Sequence, residues 1–210
     1  MVIREDHFLE LASDIENCIR LLEWKHVGPH HFLVMERPVN CSDLHQVIEE
    51  FGILAENRIR RIFRQTVRAC IACTEKRFVH GDIKPENILV DLDRWDAKLI
   101  DFGFSRYFDD DRPFFYLEGT TDYLPPEWER EGCVRSLPAT VWSLGLVLFE
   151  MCTFVDVSAR KPSDIENVTD DVLRSLLLSI LVERWQDRPK LGEVYAHEWL
   201  QYKKDETENC

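Results

Sequence analysis

His80-Gly81-Asp82-Ile83-Lys84-Pro85-Glu86-Asn87, taken with Asp101-Phe102-Gly103 further on, decides how this 210-residue chain folds. Short apolar pieces flank these runs: Phe78-Val79 before them, Ile88-Leu89-Val90 and Lys98-Leu99-Ile100 between them. Their length and their polar connections predict strands. The acids at 82 and 101 and the amide at 87 then fall in loops at strand ends. Asn87 and Asp101 carry hard oxygen atoms of the kind that hard cations prefer. The same residue types also suit a capped turn or a solvated loop.

Upstream, residues 5 to 12 read as the end of a helix. Ile19 to Trp24 and Phe32 to Met35 read as two strands joined by a turn at Gly28 and Pro29. Ser42 or Asp43 is placed to cap a short helix through Glu50, closed by Gly52. A longer helix follows from about Ala55 to Lys76, with Ile59, Ile62, Phe63, Val67, Cys70 and Ile71 on its apolar side. Downstream, Asp101 to Glu127 has little periodicity, and a loop of that length inside a compact domain is usually functional or disordered. Val141 to Met151 is almost wholly apolar and demands burial on all sides. The tail, 203–210, reads as disordered.

Composition narrows the function classes. Apolar residues make up 45% and charged residues 31%, a mix typical of globular proteins. The longest apolar run, Val141 to Phe149, is shorter than the ~20 residues of a membrane span. Residues 1–6 lack the basic-then-apolar layout of a signal peptide, and seven scattered cysteines suit a reducing compartment. We therefore expect a cytosolic or nuclear protein with no membrane partner. Cys70 and Cys73 form a C-x-x-C, but no second pair completes a zinc site, and the spacing suits the inner face of a helix. A formal net charge of −13 disfavours nucleic acid and favours a basic peptide or protein. Arg58, Arg60, Arg61, Arg64 and Arg68 form a basic cluster that reads as a solvated helix surface.

In order and spacing, the run at 80–87, Asp101-Phe102-Gly103, Pro125-Pro126-Glu127 and Trp142-Ser143-Leu144-Gly145 resemble four landmarks of protein kinases. These are the catalytic loop, the magnesium loop, the end of the activation segment and the central helix. The resemblance implies an α+β, protein-kinase-like fold with a mostly helical C-lobe. Residues 1–38 would be a remnant of the N-lobe, and 39–202 the C-lobe. It also implies phosphoryl transfer from ATP, which asks for positioning and charge neutralisation. Asp82 would accept the proton of the substrate hydroxyl, and Lys84 would reach the transferring group. Asn87 and Asp101 would hold Mg²⁺. A lysine at 84 is what serine/threonine kinases carry. Glu127 and Arg188 match a structural ion pair, destabilising by roughly 3–5 kcal/mol when one partner is removed. His197-Glu198-Trp199 resembles the close of the kinase domain.

The resemblance narrows to the Pim family at Glu36-Arg37-Pro38, where the hinge between lobes would bind adenine. Proline has no N–H, so Pro38 removes a donor, while the Glu36 carbonyl still accepts from the adenine amino group. Met35 would be the gatekeeper beside that pocket. Ile19-Arg20-Leu21-Leu22-Glu23-Trp24, Pro-Pro-Glu-Trp at 125–128 and Val-Trp-Ser-Leu-Gly at 141–145 agree with the family. The family's preference for arginine before the phosphorylated serine or threonine would fall to Asp43 and Glu86, although Asp43 serves equally as a helix cap. Thr120 would lie at the substrate, and the protein would act as a monomer on basic substrates.

Three departures stand out. No Gly-rich loop or Val-Ala-Ile-Lys strand precedes residue 19, so Glu5, which matches the helix glutamate of kinases, lacks its lysine. We expect a truncated sequence; the rival is a pseudokinase, an interaction module without turnover. Gly81 stands where most kinases have arginine, and Asp109, Asp110, Asp111 and Glu118 would repel a phosphate, so activity should not depend on loop phosphorylation. Thr140 replaces an aspartate that bonds the catalytic-loop backbone. With so few N-lobe strands, apolar residues of 19–24 and 32–35 should be left uncovered.

Overall fold

The computed structural model describes residues 5–28, 30–109, 112–115, 120–159 and 162–201. The tail expected to be disordered lies outside these residues, as do Asp110, Asp111 and Glu118 of the acidic loop and Pro29 of the first turn.

Helix α1 (Glu5–Ala12) turns Phe8, Leu9 and Ala12 inward. Strands β1 (Leu21–Val27) and β2 (His30–Met35) pair antiparallel, with Trp24 opposite Leu33 and a bulge between Leu21 and Glu23. Leu22, Trp24, Phe32, Val34 and Met35 of this hairpin are exposed, as expected within 19–24 and 32–35, and so is Val27, while Leu21 and Leu33 are partly covered. Ile19 is not part of β1. It is buried, and its N–H donates to Leu99 O at 2.8 Å, while the Leu99 N–H donates to Asn17 O at 2.8 Å.

Strand β3 (Cys41–Asp43) was not foreseen; three residues carry too little pattern to announce a strand before its partner is known. It opens helix α2 (Leu44–Phe51), whose cap is Asp43: the Gln46 N–H donates to Asp43 Oδ1 at 2.9 Å. Gly52 closes that helix at φ 67°. Helix α3 (Glu56–Glu75) buries Ile59, Ile62, Phe63, Val67, Cys70 and Cys73, while Ile71 is only partly covered. Burial pushes the Cys70 thiol upward with Cys18 adding to it, and a hydrogen bond with Cys18 followed by burial raises that of Cys73. They are core residues.

The arginine cluster on α3 corrects the expectation of a solvated face. Arg61 and Arg68 are exposed, but Arg60 Nε donates to Trp199 O at 2.8 Å and Arg64 Nε to Tyr195 Oη at 3.3 Å. Their aliphatic stems and charged heads dock the end of the chain, which spacing along one helix cannot reveal.

Strands β4 (Phe78–Val79), β5 (Ile88–Asp91), β6 (Asp96–Leu99) and β7 (Arg106–Tyr107) follow. They form a three-stranded sheet ordered β3-β5-β6 and a separate β4-β7 ribbon. Ile100 falls just past β6, where its N–H donates to Asn87 O at 3.0 Å. Beyond the loop come helices α4 (Pro126–Glu131), α5 (Ser136–Thr153), α6 (Pro162–Glu166), α7 (Asp171–Ile180), α8 (Leu191–Ala196) and α9 (Glu198–Gln201). By length and composition α5 resembles a membrane span, yet it packs between α3 and α7 in the interior. Val141, Trp142, Leu144 and Leu146 to Phe149 are all buried there. The result is an α+β fold in which the small sheets pack against a buried helical core.

Candidate active site

Strand β4 delivers the chain to His80, and a single 3₁₀ turn at Pro85–Asn87 returns it to β5. His80 is fully buried, and burial lowers its pKa below the ordinary imidazole value. The ring is therefore neutral at pH 7. Its Nδ1 accepts from the Asp82 N–H at 3.3 Å, so Nε2 carries the proton and donates to Ile100 O at 2.9 Å. One side chain thus joins the loop of Asp82 to the segment that leads into Asp101. The Phe102 ring packs edge-on against it at 4.8 Å.

Asp82 is 5% exposed, and both of its oxygens are bound. Oδ1 accepts the Thr120 N–H at 3.1 Å. Oδ2 accepts from Asn87 Nδ2 at 2.9 Å and lies 3.1 Å from Lys84 Nζ. Lys84 also donates to Thr120 Oγ1 at 2.6 Å. Asn87 Nδ2 reaches Asp82 O as well, at 2.8 Å, so the amide plane is fixed. Asp82, Lys84 and Asn87 of one loop and Thr120, more than thirty residues on, form one hydrogen-bonded group.

The β5-β6 register brings Asp101 near this group. Ile88 pairs with Leu99, so Asn87 and Asp101 emerge at the same end of the hairpin. Asp101 sits at φ 60°, a left-handed conformation that aspartate tolerates better than most residues, and its Oδ1 accepts the Gly103 N–H at 3.2 Å. Its charge reaches Glu5, the first residue of α1. Half-burial raises the Glu5 pKa first and the Asp101 charge raises it further, against a hydrogen bond from the Phe102 backbone.

The hinge residues lie between β2 and β3. Met35 ends β2 with its side chain exposed, and Pro38 is half-buried. The Glu36 carboxylate accepts from Lys98 Nζ at 2.6 Å and from the Arg20 N–H at 3.1 Å. Burial would raise its pKa, but these donors outweigh that and hold it low.

Of the substrate candidates, Glu86 is exposed beside the catalytic loop, and Asp43 spends one oxygen on capping α2. Sequence reasoning missed Glu150 and Asp156. Glu150 Oε2 accepts the Tyr123 hydroxyl at 2.6 Å, and Oε1 accepts the Val157 N–H at 3.2 Å. Burial raises the Glu150 pKa, and the charges of Asp156 and Glu86 raise it further, so the three acids share one region. The available signal was a single acid breaking the apolar run of α5.

Thr140 is buried and donates to Ser136 O of its own helix at 2.8 Å, so it does not tether the catalytic loop through that bond. Glu127 and Arg188 form a bidentate pair, Nη1 to Oε1 at 2.8 Å and Nη2 to Oε2 at 2.6 Å. Both side chains are nearly inaccessible, and the carbonyls of Val182, Pro138 and Glu183 take the remaining guanidinium hydrogens. A desolvated pair satisfied on every side holds geometry well.

Residues 1–200 match the protein kinase domain family along nearly the whole chain. The chain belongs to the protein kinase domain family. This kinase domain is 40% identical over 190 residues to the serine/threonine-protein kinase pim-2 of Danio rerio, covering 87% of the chain and 61% of the relative. It is 37% identical over 147 residues to the serine/threonine-protein kinase prk-2 of Caenorhabditis elegans, covering 67% of the chain and 32% of the relative. A serine/threonine-protein kinase of African swine fever virus is 28% identical over 207 residues, 95% of the chain and 69% of that protein. The kinase domain thus spans 61% and 32% of the lengths of the first two relatives. The Pim-like character expected from the hinge and the later motifs holds.

Proposed function

We propose that this kinase domain transfers the γ-phosphoryl group of ATP to a serine or threonine hydroxyl of a basic protein substrate. The observation that carries the reading is the group around Asp82. A buried carboxylate held by Asn87, Lys84 and the Thr120 N–H has one orientation, and such a group suits a general base. Asp82 accepts the substrate proton while Lys84 offsets negative charge on the same side. Protein kinases as a family use ATP with Mg²⁺, and the donor set suits that ion. Asn87 turns its Nδ2 toward Asp82, leaving Oδ1 with no hydrogen bond among the described residues, and Asp101 is exposed with one oxygen steadied by Gly103. Asn87 Oδ1 and the Asp101 carboxylate would hold the metal. Bound there, it would neutralise the phosphates. Glu86, Glu150 and Asp156 supply the negative field that arginines of a substrate would seek.

Transfer of labelled phosphate to an arginine-rich serine peptide tests this. Asp82→Asn should lower the rate by ~10²–10⁴ with the fold intact. Equal rates for the two proteins would remove the assignment of Asp82. Nucleotide binding without transfer by either would favour the pseudokinase reading.

A further inference from the structure

Lys98 lies on β6, three residues before Asp101, and none of the kinase motifs includes it. Its ammonium leaves the sheet toward the hinge. Nζ donates to Glu36 Oε1 at 2.6 Å and approaches Cys18 O at 3.4 Å. The Glu36 side chain is about three-quarters covered there, and the Lys98 side chain equally so. Glu36 is restrained again by Arg20, whose N–H donates to the same Oε1 at 3.1 Å and whose carbonyl accepts the Glu36 N–H at 3.0 Å. The main-chain N–H and the carboxylate of Glu36 are therefore both held, which fixes the Cα and Cβ of the residue and so the point from which its carbonyl leaves.

That restraint matters because of Pro38. With one donor of the hinge removed, the Glu36 carbonyl bears more of any contact with the adenine amino group. An acceptor of this kind is useful in proportion to its pre-alignment, because orientation lost in the free protein must be regained on binding. A charge-assisted bond from Lys98 to the carboxylate steadies the residue that carries this acceptor. The strand that carries Lys98 is itself strapped to residues 17–19 by the Leu99 main-chain bonds, so the anchor is rigid.

We propose that Lys98 is a positioning residue for nucleotide binding, holding Glu36 so that its carbonyl faces the adenine amino group. The inference rests on the ATP reading given above. It is tested by titrating the 210-residue protein with ADP and magnesium, and by measuring chemical unfolding of the same variants. Lys98→Met should weaken ADP binding by about 3- to 10-fold, beyond what any small fall in the unfolding midpoint accounts for. Lys98→Arg should restore most of the affinity, and Glu36→Gln should reproduce the loss. Unchanged ADP affinity in Lys98→Met would overturn the proposal. So would a loss of affinity that tracks a lowered midpoint and is not restored by arginine, since Lys98 would then serve only the fold. If the unaltered protein binds no ADP, the ATP reading itself fails, and the role of Lys98 fails with it.

Discussion

Gly81 occupies the place where most kinases carry an arginine, and its surroundings explain why a side chain is excluded. Its φ is 89°, and a Cβ built there would lie 2.2 Å from the Phe104 carbonyl oxygen. Both the torsion and the close approach demand glycine. An arginine at 81 would have to open the contact between the catalytic loop and the segment after Asp101. The phosphate anchor of other kinases therefore cannot be added by one substitution. Gly81→Ala should destabilise the fold by about 1–3 kcal/mol and lower kcat/KM by moving Asp82. Chemical unfolding and peptide phosphorylation measure the two effects; an alanine variant with full stability and activity would contradict this geometry. At the residue scale the site was legible where its members share a motif. Asp82, Lys84 and Asn87 sit within one turn of chain, so their spacing announces their meeting. The bond from Lys98 to Glu36 spans 62 positions and had no local signature.

Helices were legible wherever one face had to be buried. The apolar positions of α3 follow a helical period, and α2 carries its own cap and stop, so both could be placed within about two residues. Two of the short strands were not foreseen, although Phe78-Val79, equally short, was. β3 and β7 have three and two residues, and each exists only because a partner strand lies beside it. The basic face of α3 was misread for a related reason: its partners, Trp199 and Tyr195, come from the far end of the chain. Contact between α5 and α7 shows how closely such elements approach. A Cβ on Gly145 would meet Ile180 Cγ2 at 2.4 Å and Leu181 Cδ2 at 2.8 Å. Glycine within a helix costs about 1 kcal/mol relative to alanine, so intrinsic propensity alone would favour the substitution. Packing reverses the sign. We predict that Gly145→Ala destabilises by about 1–3 kcal/mol, as overpacked cores do. Combining it with Ile180→Ala should cost less than the sum of the two single changes, because the truncated side chain vacates the space. A double-mutant cycle on unfolding free energies checks this, and strict additivity would show that the two helices do not meet there.

Charge acts on the scale of the whole molecule. Thirty-nine acidic residues against 26 basic ones leave a net −13, and Glu86, Glu150 and Asp156 lie near one another close to the Asp82 loop. A basic peptide approaching this side is drawn by the summed field before it makes any contact. Such attraction is screened by salt, since the Debye length falls from about 10 Å at 0.1 M to about 3 Å at 1 M. The KM for an arginine-rich peptide should therefore rise steeply with sodium chloride while kcat changes little. A peptide of the same length without arginine should show a flat response. Glu86→Gln and Asp156→Asn should each reduce the slope. The pH dependence has a defined sign. Burial, with Asp156 and Glu86 nearby, raises the Glu150 pKa above the ordinary value. Glu150 thus loses its charge at a higher pH than an exposed glutamate does. Affinity for the basic peptide should weaken as pH falls through that raised pKa, before exposed carboxylates are titrated. Steady-state kinetics across salt and pH read both effects. A KM indifferent to ionic strength would mean that these three acids stabilise the fold around Tyr123 and take no part in drawing the substrate.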